Sequence, residues 1–164
     1  MSILETRHLV WPEEAATQAF AARLAALPAL RDATIELHGG LGAGKTSLVR
    51  HLLRALGVAG RIKSPSYAVL ESYELADWGG QGEVSHFDFY RFSDPREWED
   101  AGFREIFTRP GLKLCEWPEK AAGMLPEPDL RLHLDIRAED EARLVRLEAC
   151  TPRGQALLQG SVPA

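Results

Sequence analysis

Ala33-Thr34-Ile35-Glu36-Leu37-His38, followed by Gly39-Gly40-Leu41-Gly42-Ala43-Gly44-Lys45-Thr46, is the stretch that decides the fold. The first part alternates apolar and polar residues, as a strand half-buried on one face does. The second part matches G-x-x-x-x-G-K-[ST], the loop that wraps nucleotide phosphates. Its glycines let backbone N–H groups turn inward and approach an anion with no Cβ in the way. Lys45 supplies a point charge for the β- and γ-phosphates, and the Thr46 hydroxyl is a hard oxygen suited to Mg²⁺. Leu48, Val49, Leu52, Leu53 and Leu56 then recur at helical spacing, with Gly57 as the stop. Strand, glycine loop and helix in this order aim a helix N-terminus at an anion. The chain reads as a binder of a nucleoside triphosphate.

Working outward, residues 3 to 10 form a short edge strand. Pro12 suits a first helical position, and Ala16, Phe20, Leu24 and Leu27 follow at helical spacing until Pro28. Beyond the loop and its helix, Lys63-Ser64-Pro65-Ser66-Tyr67 is a polar, proline-hinged connection. Ala68 to Leu75 and Val84 to Tyr90 read as strands joined by a glycine-rich hairpin loop from Asp77 to Glu83. Ser93-Asp94-Pro95 caps a short helix that stops at Gly102. Leu112 to Trp117 is a further strand, halted by Pro118, and Leu130 to Ile136 with Leu144 to Ala149 make a hairpin. Strands alternating with helices, then a hairpin, predict a three-layer α/β, P-loop NTPase-like fold with a mixed, largely parallel central sheet. One domain spans 1–164, with the tail from about 151 peripheral.

The 164 residues suffice for one real core. A net charge of −5 argues against clamping nucleic acid directly, which calls for a basic surface. Cys115 and Cys150 have no ligand-like spacing, so neither a zinc site nor a disulfide framework is expected. Glu5 and Arg7 interrupt any leader-like apolar run, and no stretch reaches transmembrane length, so a cytoplasmic location is expected.

Hydrolysis or transfer needs acids near the metal. In open α/β sheets the crevice lies at the carboxyl ends of the strands. Asp88, near the end of one strand, and Glu116, at the end of another, are therefore the candidates. Asp88 between Phe87 and Phe89 is either a partner of the Mg²⁺ shell and attacking water or half of a salt bridge, with Arg91 its nearest candidate partner. Glu116 is either a functional acid or an ordinary strand-end glutamate. His86 reads as a strand side chain rather than a base, His38 as unremarkable, and Trp117 as a core filler.

Leu41 to Thr46, then Lys63-Ser64-Pro65-Ser66-Tyr67, then His86-Phe87-Asp88-Phe89-Tyr90-Arg91, then Glu116-Trp117-Pro118 resemble, in order, the TsaE family. These are bacterial ATPases of tRNA N6-threonylcarbamoyladenosine biosynthesis. The resemblance runs from about residue 10 to about residue 137. It implies a small cytoplasmic ATPase, weak alone, that uses ATP and Mg²⁺ and acts with the TsaB–TsaD heterodimer. That assembly modifies adenosine 37 of tRNAs reading ANN codons, and the tRNA is reached only through the partners.

Residue by residue, the resemblance implies that Leu41, Gly42, Ala43, Gly44, Lys45 and Thr46 bind the phosphates, with Ser47 also in the nucleotide site. Thr46 and Glu116 become the metal ligands. Asp88, Lys45 and Glu116 become the catalytic set, with Asp88 placing the water. Trp117 would sit beside the nucleotide, Glu14 and Thr17 would border the base, and the 63–67 loop would respond to nucleotide state. Arg91 is a candidate for transition-state charge. Gly40 stands where the family usually has Asp, and Ser47 and Ser66 replace threonines while keeping a hydroxyl. Two alternatives remain at this point. A small-molecule kinase shares the loop, but the segment with Arg96, Arg104 and Arg109 is not a long helical lid. A nucleotide-gated binding module differs only in turnover.

Overall fold

The alternating run at 34–38 lies at the centre of the sheet. In the computed structural model, which describes residues 2–62, 69–75 and 82–163, it forms β2 (Thr34–His38). β5 (Leu112–Glu116) and β6 (Leu130–Ile136) pair with it in parallel, one on each side. β4 (Gly82–Asp88) pairs in parallel with β5. Antiparallel strands finish both flanks: β3 (Leu70–Leu75) beside β4, and β7 (Arg143–Ala149) then β1 (Glu5–Trp11) beside β6. The order β1-β7-β6-β2-β5-β4-β3 is therefore mixed, with a parallel centre, as expected. β5 is buried along its whole length, as a parallel strand covered on both faces must be, while β1 exposes most of its residues.

Alternation along the strands sorts the core into two parts. Ile35, Leu37, Leu114 and Leu132 point to the face covered by α1 (Glu14–Ala25), α2 (Lys45–Ala55) and α5 (Pro152–Ser161). There they meet Leu24, Leu48, Val49 and Leu52. Burying a side chain of this size contributes about 1.5–3 kcal/mol, so the leucine stripe of α2 is what pins the phosphate loop to β2. Phe87 and Cys115 point the other way, under α3 (Pro95–Asp100) and α4 (Phe103–Thr108). Aromatic rings fill that side: Phe87 meets Phe103 edge-on at 5.4 Å and stacks on Phe107 at 4.9 Å.

Several boundaries differ from the sequence reading. Glu13 is the N-cap of α1, so Pro12 precedes the helix instead of opening it. β4 stops at Asp88, because the amide of Phe89 turns to the carbonyl of Glu116 and Phe92 closes a turn on Phe89. Ala68 and the 63–67 loop lie outside the described residues, as do residues 76–81. β3 and β4 do pair antiparallel up to Leu75 opposite Gly82, and Glu83 belongs to β4. Gly102, at φ +70°, is both the stop after α3 and the N-cap of α4, a helix the sequence reading lacks.

The tail is not peripheral. α5 buries Leu157 and Leu158 completely in the main core. Its N-cap Thr151 accepts from the Gly154 amide and donates to Asp129 Oδ1, while Asp129 Oδ2 accepts the Thr34 amide at 2.8 Å. A Cβ on Gly154 would lie 1.7 Å from the Asp129 carbonyl oxygen, so only glycine lets the helix dock there.

Candidate functional site

The loop between β2 and α2 is shaped by close approaches. Gly39 has φ +149°, and a Cβ there would stand 2.5 Å from the Leu134 carbonyl oxygen of β6. Gly44 is the N-cap of α2 at φ +106°, a conformation L side chains avoid, and a Cβ there would meet Arg143 Nε at 3.2 Å. With no side-chain cap and no acid in the first turn, the opening amides of α2 have no partner within the helix, the arrangement that suits an anion. Leu41 is 72% exposed at the apex and Ala43 is buried. Among the described residues nothing lies within 4 Å of a Cβ at Gly40, the position that departs from the family's Asp.

Lys45 is buried, donates to the Gly39 carbonyl at 2.5 Å, and lies 3.7 Å above the Trp117 ring. Burial pulls its pKa below the ordinary lysine value, and the carboxylates of Glu116, Glu119 and Asp88 oppose that shift. Trp117 packs against the aromatic core without being part of its fully buried interior. It is half-buried, it sits in the left-handed region at φ +56°, and Tyr90 packs on it at 4.9 Å. A non-glycine residue held there stores about 1–2 kcal/mol, a kind of strain that concentrates at working sites.

Parallel pairing of β4 and β5 brings the two candidate acids together. Asp88 and Glu116 are register partners at the carboxyl ends of adjacent strands, beside the N-terminus of α2. Glu116 is 2% exposed, and its Oε1 accepts the Thr46 hydroxyl at 3.1 Å. It is not an exposed strand-end glutamate. Its other oxygen accepts from His86 Nε2 at 2.6 Å, so the residue first read as a plain strand side chain belongs to the site. Asp88 Oδ1 accepts the Tyr90 amide. Burial pushes the Asp88 carboxyl above its ordinary value; the Tyr90 amide opposes this and the Glu116 charge adds to it. Arg91 follows in the exposed turn after β4.

Hard oxygens from Thr46 and Glu116, with Asp88 alongside, fit a small divalent cation such as Mg²⁺. Beside Gly44 lies a cavity of about 370 Å³ lined by Thr17, Glu14, Ser47, Trp11 and Arg143, among others. Glu14 also accepts from His51 Nε2 at 3.0 Å. Trp11 and Arg143 carry no local sequence signal for this site. They come from the end of β1 and the start of β7, and only the antiparallel pairing of Trp11 with Arg143 places them at the loop. Lys63, Ser64, Ser66 and Tyr67 lie outside the described residues. No described helix is long and apolar enough to cross a membrane.

The fold and the loop define the class: an α/β protein with a P-loop NTPase-like architecture and a phosphate loop at the edge of its central strand. A sequence model of the family "Threonylcarbamoyl adenosine biosynthesis protein TsaE" matches residues 11–145. The chain belongs to the TsaE family. It is 40% identical over 124 residues to the tRNA threonylcarbamoyladenosine biosynthesis protein TsaE of Haemophilus influenzae, covering 76% of this chain and 75% of that one. With the protein of the same name from Bacillus subtilis it is 32% identical over 148 residues, covering 90% of this chain and 87% of that one. The crystal structure of Bacillus subtilis YdiB superposes with a TM-score of 0.76 at 23% identity, over 98% of this chain and 97% of that one, and shares the fold.

Proposed function

We propose that this chain is the Mg²⁺-dependent ATPase subunit needed to threonylcarbamoylate adenosine 37 in tRNAs reading ANN codons. It acts in the cytoplasm with TsaB and TsaD, and is a weak ATPase until they engage it. The observation that carries the site chemistry is the contact of Thr46 with Glu116, with Asp88 in register beside it. Family membership carries the pathway. The −5 net charge agrees with tRNA being held by the partners.

The amides that open α2 and the Lys45 ammonium bind the triphosphate. To reach it, the Lys45 ammonium leaves the Gly39 carbonyl. Thr46 and Glu116 would hold Mg²⁺, which when bound neutralises charge on the β- and γ-phosphate oxygens. The cavity beside Gly44 receives base and ribose, bordered by Glu14, Thr17 and Ser47. Asp88, a carboxyl with a raised proton affinity at the strand ends, orients the attacking water. Nothing favours the kinase alternative: Arg96 is tied to Asp94 at 3.1 Å, and α3 and α4 cover the face of the sheet opposite α2.

Reconstitution with TsaB, TsaD, tRNA, threonylcarbamoyl-adenylate and ATP over several turnovers tests this reading. Repeated modification is expected to require this chain and ATP. Full multiple-turnover activity without the chain would refute it, as would phosphorylation of an added metabolite.

A further inference from the structure

His86 lies in β4, two residues before Asp88, with its ring 1% exposed. An ionised carboxylate offers only acceptors, so in the 2.6 Å contact the histidine Nε2–H donates to Glu116 Oε2. The other oxygen, Oε1, meets the Thr46 hydroxyl. The two oxygens of Glu116 are thus divided between two partners: one faces inward to the imidazole, the other outward to the phosphate loop. His86 Nδ1 has no hydrogen-bond partner among the described residues. Leaving a buried acceptor unmade is unfavourable by about 1–3 kcal/mol, so packing alone would place an apolar side chain here. The bond to Glu116 is what the imidazole supplies.

That division limits how Glu116 can ligate. A short buried hydrogen bond holds Oε2 inward, so Oε1 is the oxygen turned toward the phosphate loop and offered to a cation. Mg²⁺ demands a compact octahedron, keeps several waters and takes carboxylates one oxygen at a time. Ca²⁺ takes more oxygens and commonly draws both from one carboxylate. We propose that His86 is a positioning residue that restricts Glu116 to single-oxygen ligation and thereby makes the nucleotide site select Mg²⁺ over Ca²⁺. The inference rests on the Mg²⁺-nucleotide reading of the site. It concerns the orientation of the carboxylate and needs no change in protonation.

Calorimetric titration of ADP in saturating Mg²⁺, in saturating Ca²⁺ and in EDTA tests it, with no turnover required. Wild type is expected to bind more tightly with Mg²⁺ than with Ca²⁺. His86→Leu, which fills the space without a donor, should lower the Mg²⁺/Ca²⁺ affinity ratio by at least about 10-fold, the usual size for losing a partner behind a metal ligand. His86→Gln, whose amide N–H reaches about where Nε2 stands, should restore most of the ratio. An unchanged ratio in His86→Leu would overturn the proposal. Wild type that ignores both cations would overturn the metal reading beneath it. If thermal denaturation shows that His86→Leu does not fold, His86→Asn replaces it, since its shorter amide cannot reach Glu116. Equal ratios for His86→Asn and His86→Gln would then overturn the proposal.

Discussion

Two histidine–glutamate pairs of nearly equal length stand on opposite faces of the sheet. His86–Glu116 spans 2.6 Å and His133–Glu148 spans 2.7 Å. The first pair is almost dry, with side chains 1% and 2% exposed; the second stands at 27% and 12%. The decisive contrast is what the remaining carboxylate oxygen does. Glu148 Oε2 faces Arg146 at 3.4 Å, so its charge is matched within the sheet. The other oxygen of Glu116 meets a neutral hydroxyl from the phosphate loop, and Lys45 is turned to a carbonyl and a ring. One pair is electrostatically closed. The other keeps a negative oxygen pointed at the place where a cation and a triphosphate would arrive.

The largest effect expected is at the cation that site holds in reserve. Lys45→Ala should weaken ATP binding by at least about 100-fold, since it loses two charge-assisted hydrogen bonds, to the β- and γ-phosphates, worth about 1.5–3 kcal/mol each. Near-wild-type affinity by equilibrium titration would remove the loop from the account.

Asp88→Asn should come next, lowering partner-stimulated hydrolysis by about 100-fold, within the range of a lost acid–base group. The same change should raise thermal stability at pH 7. The Asp88 carboxyl has a folded-state pKa above the ordinary 3.8, so its ionised form is less favourable in the fold than in the unfolded chain. That destabilisation is absent below the unfolded value, grows as pH rises toward the folded one, and is then constant. Asparagine keeps the oxygen that accepts the Tyr90 amide. Melting curves of the two proteins should converge in acid and separate at neutral pH; a less stable variant at pH 7 would contradict this.

The smallest effect belongs to the closed pair. Glu148→Ala removes a largely buried carboxylate from the opposite face of the sheet and should change nucleotide affinity by less than about 2-fold, at roughly 1 kcal/mol of stability. A loss of binding as large as that at the phosphate loop would erase the distinction between the two faces.

Legibility in the sequence followed the range of the interactions. The loop, β2 and α2 are local, and glycine pattern and leucine spacing announce them. Asp88 and Glu116 could be found because strand ends are visible, but their adjacency depends on the parallel pairing of β4 with β5. His86 is not legible in this way, because an isolated histidine in an apolar strand has no local signal for a partner in β5. Trp11 and Arg143 reach the cavity only through the pairing of β1 with β7. α5 has a fair helix start in Thr151-Pro152, but its short apolar stripe has meaning only against the sheet.

The most direct test of the central claim is a Mg²⁺ titration of nucleotide affinity in three proteins: wild type, Glu116→Ala and Glu148→Ala. Wild type and Glu148→Ala should bind ADP more tightly as Mg²⁺ rises, and Glu116→Ala should show no such gain. A full magnesium response in Glu116→Ala would contradict the assignment of that carboxylate to the metal.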